Sequence, residues 1–208
     1  MSVEITSTPL IVLSRTPYRE SSLIAVGISP DYGKLSLVCS GAQKISGKDH
    51  VQVDLFREIS VEFTENRSSL KNAREIELIS ANDKLSDTPV NFRLAGKMAA
   101  FLLANIKEEL PMPYTYDSFS SVLRHLSGST PQEERWTPMQ CAVVLKTAFL
   151  CENGLLPQSG DERSSAFLEN VVAAGIDNSA LPRCPEQYWS KLNDWLGSVI
   201  TCNGLRKQ

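Results

Sequence analysis

The chain has little of what most catalytic sites are built from. Its 208 residues include only two histidines, His50 and His125, and neither stands near a cysteine. The five cysteines, Cys39, Cys141, Cys151, Cys184 and Cys202, are widely spaced and form no C-x-x-C. That pattern argues against a structural zinc site and against a disulfide framework, and it fits a reducing cytoplasm. No apolar run approaches the ~18 residues of a membrane-spanning helix. Met1 to Pro9 lacks a basic segment leading into an apolar one, so no secretory signal is expected there. Nucleotide motifs are missing as well. Gly41 to Asp49 imitates a phosphate loop, but its glycines stand one residue too far apart, and Asp49 occupies the place of a magnesium-binding Ser or Thr. A Ser or Cys triad would have to draw on His50 or His125. The pairs Glu108-Glu109 and Glu133-Glu134 read as solvated charges at helix ends. The expectation is a protein that is not an enzyme and uses no cofactor or metal.

What is present is an ordinary globular composition, 42% hydrophobic and 22% charged, with enough apolar material for a core. The charge is unevenly placed. Residues 15 to 48 carry Arg15, Arg19, Lys34, Lys44 and Lys48 against Glu20 and Asp31 alone. That stretch is net +3 inside a chain of net −3. A net-acidic protein does not coat nucleic acid by bulk charge, but a local basic surface needs only a few well-placed cations.

The first 80 or so residues read as strands. Leu10 to Leu13 is a short apolar run, and Leu23 to Ile28 is a second. Ser29-Pro30-Asp31-Tyr32-Gly33 is a turn, and Lys34 to Cys39 alternates polar and apolar, so the second and third strands form a hairpin. Gly41 to Asp49 reads as a loop. Val51 to Leu55 begins another alternation that Ile59 to Phe63 continues, and Lys71 to Ile79 alternates after a turn at Glu65 to Ser69. Short strands at this spacing predict a small barrel or sandwich.

Past Asp87-Thr88-Pro89 the period changes. Phe92, Ala95, Ala99, Leu102, Leu103 and Ile106 recur at helical spacing, with Pro111 and Pro113 as the stop. Tyr116 to Leu126 is a second helix. Thr137-Pro138-Met139-Gln140 is a capping box that opens a third, whose Cys141 to Leu150 run is apolar on nearly every side and so belongs at a bundle centre. Ser165 to Ala174 and Pro185 to Val199 complete the set. Strands first and helices after predict a segregated α+β chain of two units with a boundary near residues 80 to 90.

The loops of that barrel hold the candidate site. Arg15, Tyr18 and Arg19 lie after the first strand, Tyr32 and Lys34 at the hairpin turn, Lys44 and Lys48 in the next loop, Arg67 and Lys71 before the fifth strand. In an OB barrel such loops flank a groove for single strands. Cations there hold phosphates, and Tyr18 and Tyr32 could stack bases, at roughly 1–3 kcal/mol each. The plainer alternative is solvated cations and tyrosines that pack on their neighbours.

These residues resemble a known family. Leu13-Ser14-Arg15-Thr16-Pro17-Tyr18-Arg19-Glu20-Ser21-Ser22 with the strand after it, then Ser29 to Leu35, then Ser40-Gly41-Ala42 and a basic loop, are similar to the opening of the bacterial recombination mediator RecO. Phe149-Leu150-Cys151-Glu152-Asn153-Gly154-Leu155-Leu156-Pro157 resembles the family's helix ending in a Gly-Leu-x-Pro turn. The family's usual glycine after the motif tyrosine is replaced here by Arg19. Many members carry a four-cysteine zinc motif after the Gly-Leu-x-Pro turn, and this chain has no C-x-x-C, so it resembles a divergent, zinc-free member. The resemblance implies a five-stranded OB-fold barrel over residues 1–82 followed by an α-helical bundle domain over residues 83–208. It implies binding of single- and double-stranded DNA, strand annealing, and work with RecR and the acidic C-terminal tail of the single-strand-binding protein to load RecA. It implies a cytoplasmic, nucleoid-associated protein with no membrane contact. An acidic tail could dock near Arg93 or Lys97, though those cations also read as the solvated face of a helix. The competing expectation is a protein-interaction adaptor whose barrel binds DNA weakly or not at all.

Overall fold

The computed structural model describes residues 5–43, 52–64, 68–157 and 161–206. They divide into two compact units, one of residues up to Asp83 together with Ile106–Pro113, the other of Lys84–Asn105 and everything from Tyr114. No described helix is long and apolar enough to cross a membrane.

The first unit is a closed barrel of five strands in the order β1-β2-β3-β5-β4. The strands are β1 (Ile5–Tyr18), β2 (Ser22–Ser29), β3 (Gly33–Cys39), β4 (Glu58–Thr64) and β5 (Leu70–Ser80). β1 is long enough to serve two neighbours. Its first half pairs with β4 and its second with β2. β3 and β5 pair in parallel and close the cylinder. The alternation seen in Lys34 to Cys39 has its cause here: Leu35, Leu37 and Cys39 fill the barrel while Lys34, Ser36 and Val38 look outward. The hairpin is anchored by Thr8, whose hydroxyl donates to the Asp31 carboxylate at 2.7 Å and lies 2.8 Å from the Ser29 hydroxyl.

Of the Val51 to Leu55 alternation, Val51 lies outside the described residues and Gln52 to Leu55 is not a strand. Residues 52–57 turn instead, with Val53 fully buried and Phe56 at φ 64°. The reason is tertiary. β1 has a bulge between Val12 and Ser14, and the turn satisfies it. The Phe56 N–H donates to the Val12 carbonyl at 2.8 Å, and the Val12 N–H donates to the Arg57 carbonyl at 3.0 Å. At the end of the unit Arg57 grips Asp83 with its Nε and Nη2.

Residues 106–113 also differ from the sequence-based division at 82. They rejoin the barrel unit although the chain between Lys84 and Asn105 does not. The Met112 N–H donates to the Pro30 carbonyl at 2.8 Å and the Lys34 N–H to the Lys107 carbonyl at 2.9 Å. Nothing in the local pattern announces this, because backbone groups make the contact.

The second unit has five α-helices: α1 (Pro89–Asn105), α2 (Pro113–Ser127), α3 (Pro138–Glu152), α4 (Glu162–Asp177) and α5 (Glu186–Cys202). Pro113 therefore starts α2 rather than stopping the helix before it, and α1 already ends at Asn105. Proline suits a first helical turn because its missing N–H would have no partner there. α3 is central as its all-round apolar run requires, packing on α1, α4 and α5. Its capping box is formed: the Thr137 N–H donates to Gln140 Oε1 at 2.7 Å and the Gln140 N–H to Thr137 Oγ1 at 3.3 Å.

Candidate nucleic-acid interface

The described candidate residues fall into two groups at opposite ends of β3. One is at the β1–β2 turn, beside the end of β3, since Leu23 pairs with Cys39. The other is at the β2–β3 turn, where β3 begins. Five residue steps separate Lys34 from Cys39, or about 17 Å at the ordinary strand rise of ~3.4 Å.

At the β1–β2 end, Arg15 and Tyr18 are part of β1 rather than of the turn, because β1 runs to Tyr18. Arg15 shares a register row with Ala25. Its Nε lies 3.1 Å from Asp54 Oδ1, and both side chains are about half exposed. An ion pair so exposed is worth ~0–1 kcal/mol, so a phosphate can displace it at little cost. Arg19 is exposed at the turn itself, with its guanidinium 5.1 Å from the centre of the Tyr18 ring. Arg19 adopts φ 55°, the left-handed region where glycine is favoured. That is the physical reason for a glycine after the motif tyrosine, and here a cation stands in its place. The turn is tied to the chain beyond β3 by the Gln43 side chain, which donates to the Ser22 carbonyl.

At the β2–β3 end the residues are less available. Tyr32 packs edge-on against Phe63, ring centres 5.4 Å apart, and is partly buried against the barrel's core cluster. Lys71 is a correction. It is the second residue of β5, paired with Leu37 on an inward row, and only 5% exposed. Strand periodicity turns it inward, so it is not a loop cation facing phosphate. Lys34 is outward and half-buried. Tyr32, Lys34 and Lys71 line one small cavity together with Ser69, Glu108 and Glu109. The two glutamates are the feature the sequence reading missed, having been taken as solvated charges at a helix end. Lys44, Lys48 and Arg67 lie outside the described residues.

Between the two ends, the outer face of β2 and β3 carries Ile24, Val26, Ser36 and Val38, with Ile24 opposite Val38 and Val26 opposite Ser36. It holds no aromatic ring and no cation. Among the described candidate residues the cations therefore stand at the ends.

Two of the groups considered for catalysis, His125 and Cys141, are built into the core, and His50 lies outside the described residues. His125 is buried, stacked on Trp136 at 3.8 Å, and its Nδ1 accepts the Trp136 backbone N–H at 3.0 Å. Burial pushes its pKa down to about 4, with nearby Arg135 acting in the same direction and Asn178 opposing. Burial pushes the Cys141 thiol up to about 12. The Cys151 thiol is also raised, first by burial and then by Glu152 and Glu169. A thiol held protonated is a poor nucleophile.

Comparison with known proteins adds to this geometry. Residues 1–82 match the family described as recombination protein O N terminal. The chain is 30% identical over 133 residues to the DNA repair protein RecO of Aliivibrio fischeri (strain MJ11), an alignment covering 64% of this chain and 55% of the relative. It is 28% identical over 138 residues to the DNA repair protein RecO of Aliivibrio salmonicida, covering 66% and 57%. It is 29% identical over 102 residues to the DNA repair protein RecO of Mesoplasma florum, covering 48% and 37%. The match to the Aliivibrio proteins spans little more than half of their length.

Proposed function

Because residues 1–82 match the family of recombination protein O N-terminal domains, we propose that this chain serves DNA repair and homologous recombination as a mediator. It binds single- and double-stranded DNA through its barrel, brings complementary strands together, and works with RecR and the single-strand-binding protein to load RecA. It breaks no bonds and needs no cofactor. It acts in the cytoplasm, at the nucleoid.

The observation that supports this most is the β1–β2 turn, where exposed Arg19 stacks over Tyr18 and Arg15 lies three residues before Tyr18. A cation beside a ring is what a phosphate and its neighbouring base require. The test is anisotropy of a labelled single-stranded oligonucleotide at about 20 mM and about 150 mM salt. Binding with log affinity falling steeply against log salt, by ~0.7 per phosphate contact, is expected. Arg15→Glu, Arg19→Glu and Lys34→Glu together should abolish it with the fold intact. Unchanged binding by that variant would sink the assignment of the site.

A second reading, a protein-binding adaptor, is favoured by the apolar face of Ile24, Val26 and Val38 between the two basic ends. An adaptor would bind DNA weakly and show no steep salt dependence.

A further inference from the structure

The barrel carries its own acidic segment at the end where Lys34 lies. Residues 106–113 return from the end of α1 and are held by two backbone hydrogen bonds, Met112 N–H to the Pro30 carbonyl and Lys34 N–H to the Lys107 carbonyl. The second of these places Gly33 and Glu108 opposite each other as an antiparallel bridge. The fit is close. A Cβ on Gly33 would stand 2.3 Å from the Leu110 carbonyl oxygen and 2.6 Å from that of Lys107. The cavity left between Tyr32, Lys34, Lys71, Glu108 and Glu109 is about 10 Å³, which is at the lower limit for one water. The segment also carries Lys107, but Glu108 and Glu109 are its residues that line the cavity with Lys34.

Carboxylates and phosphates compete for the same cations. We propose that residues 106–113 are an internal acidic strap that restrains nucleic-acid binding, with Glu108 and Glu109 standing where a phosphate would approach Lys34. The inference rests on the DNA-binding reading above and deepens it. The strap leaves the β1–β2 turn open, so it weakens one end of the interface and spares the other.

The experiment compares the full chain with a Glu108→Gln, Glu109→Gln variant by anisotropy on a single-stranded oligonucleotide across a salt series. Both glutamates are exposed, so the amides leave the fold intact. A Glu133→Gln, Glu134→Gln variant makes the same change in net charge elsewhere. The strap variant should bind roughly tenfold tighter at about 20 mM salt, with a slope steeper by about 0.7–1.4, as one or two phosphate contacts are freed. Adding Lys34→Ala should remove the gain. If the unaltered chain binds and the strap variant binds identically, the strap has no such role while the DNA reading stands. An equal gain in the Glu133 and Glu134 variant would reduce the effect to bulk charge and overturn the inference. If no form binds at low salt, the DNA reading falls and the strap with it.

Discussion

The Glu152 carboxylate, at the end of α3, caps the start of α2 by accepting from Thr115. Its Oε2 takes the Thr115 hydroxyl at 2.6 Å and the Thr115 backbone N–H at 3.0 Å. Its Oε1 takes the Tyr114 N–H at 2.9 Å. A helix start offers N–H groups without partners and a partial positive charge, and here a distant carboxylate satisfies both. Thr115 is fully buried, so no water replaces the lost acceptor. Glu152→Ala should therefore cost about 1–3 kcal/mol in urea unfolding. Glu152→Gln, which keeps an acceptor oxygen, should cost less.

His125 makes stability depend on acid. Its folded pKa of about 4 lies below the ordinary 6.5 because burial disfavours the charged ring. Between those values the unfolded chain binds the extra proton, so stability is full above pH ~6.5 and drains away as pH falls toward ~4. Unfolding midpoints measured at pH 7.5, 6 and 5 should drop in that order. A His125→Gln variant should be less stable at pH 7.5, having lost the stack on Trp136, but flatter with pH.

Arg19 trades stability for charge. Arg19→Gly removes a side chain from a left-handed backbone position, φ 55°, and should raise stability by about 1 kcal/mol. The same change should lower the salt slope of DNA binding by ~0.7. Thermal unfolding and anisotropy on one preparation would check both. A stability gain with an unchanged slope would remove Arg19 from the interface.

Lys71 should behave in the opposite sense. It is 5% exposed on an inward row of the barrel, so Lys71→Ala is expected to lower the unfolding midpoint and leave the salt slope alone. A slope that falls by ~0.7 with stability unchanged would restore it as a phosphate contact.

Two helical glycines should respond with opposite signs. A Cβ on Gly175 of α4 would meet Ser118 Oγ at 2.6 Å and Val144 Cγ1 at 2.8 Å, so Gly175→Ala should destabilise by about 1–3 kcal/mol. A Cβ on Gly96 of α1 meets nothing within 4 Å, so Gly96→Ala should stabilise by about 0.5–1 kcal/mol. Denaturant titration of both variants reads the difference directly.

Much of the fold was legible because its signals are local. The alternation of Lys34 to Cys39 is the strand period, and β3 follows it residue for residue. Thr137 and Gln140 form the capping box that their spacing predicts, and the apolar run after them is the centre of the bundle. The site was legible only in part. Arg19 could be placed at a turn from its neighbours, but Lys71 could not be turned inward without knowing that β5 starts at Leu70. Val51 to Leu55 alternates as a strand would, yet the β1 bulge recruits its continuation as a turn.

The amino-acid sequence by itself determined the order of strands before helices and the start of α3 at its capping box, and its first 82 residues match the family of recombination protein O N-terminal domains. These follow from periodicity, turn chemistry and residue identity, all of which act over a few neighbours. Only the tertiary structure decided that β3 and β5 close the barrel in parallel, that Glu152 caps α2, and that Glu108 and Glu109 come to stand beside Lys34. Each of these joins residues far apart in the chain. Backbone hydrogen bonds hold the strap in place, and every residue except proline can donate and accept them, so no pattern of side chains could have announced it.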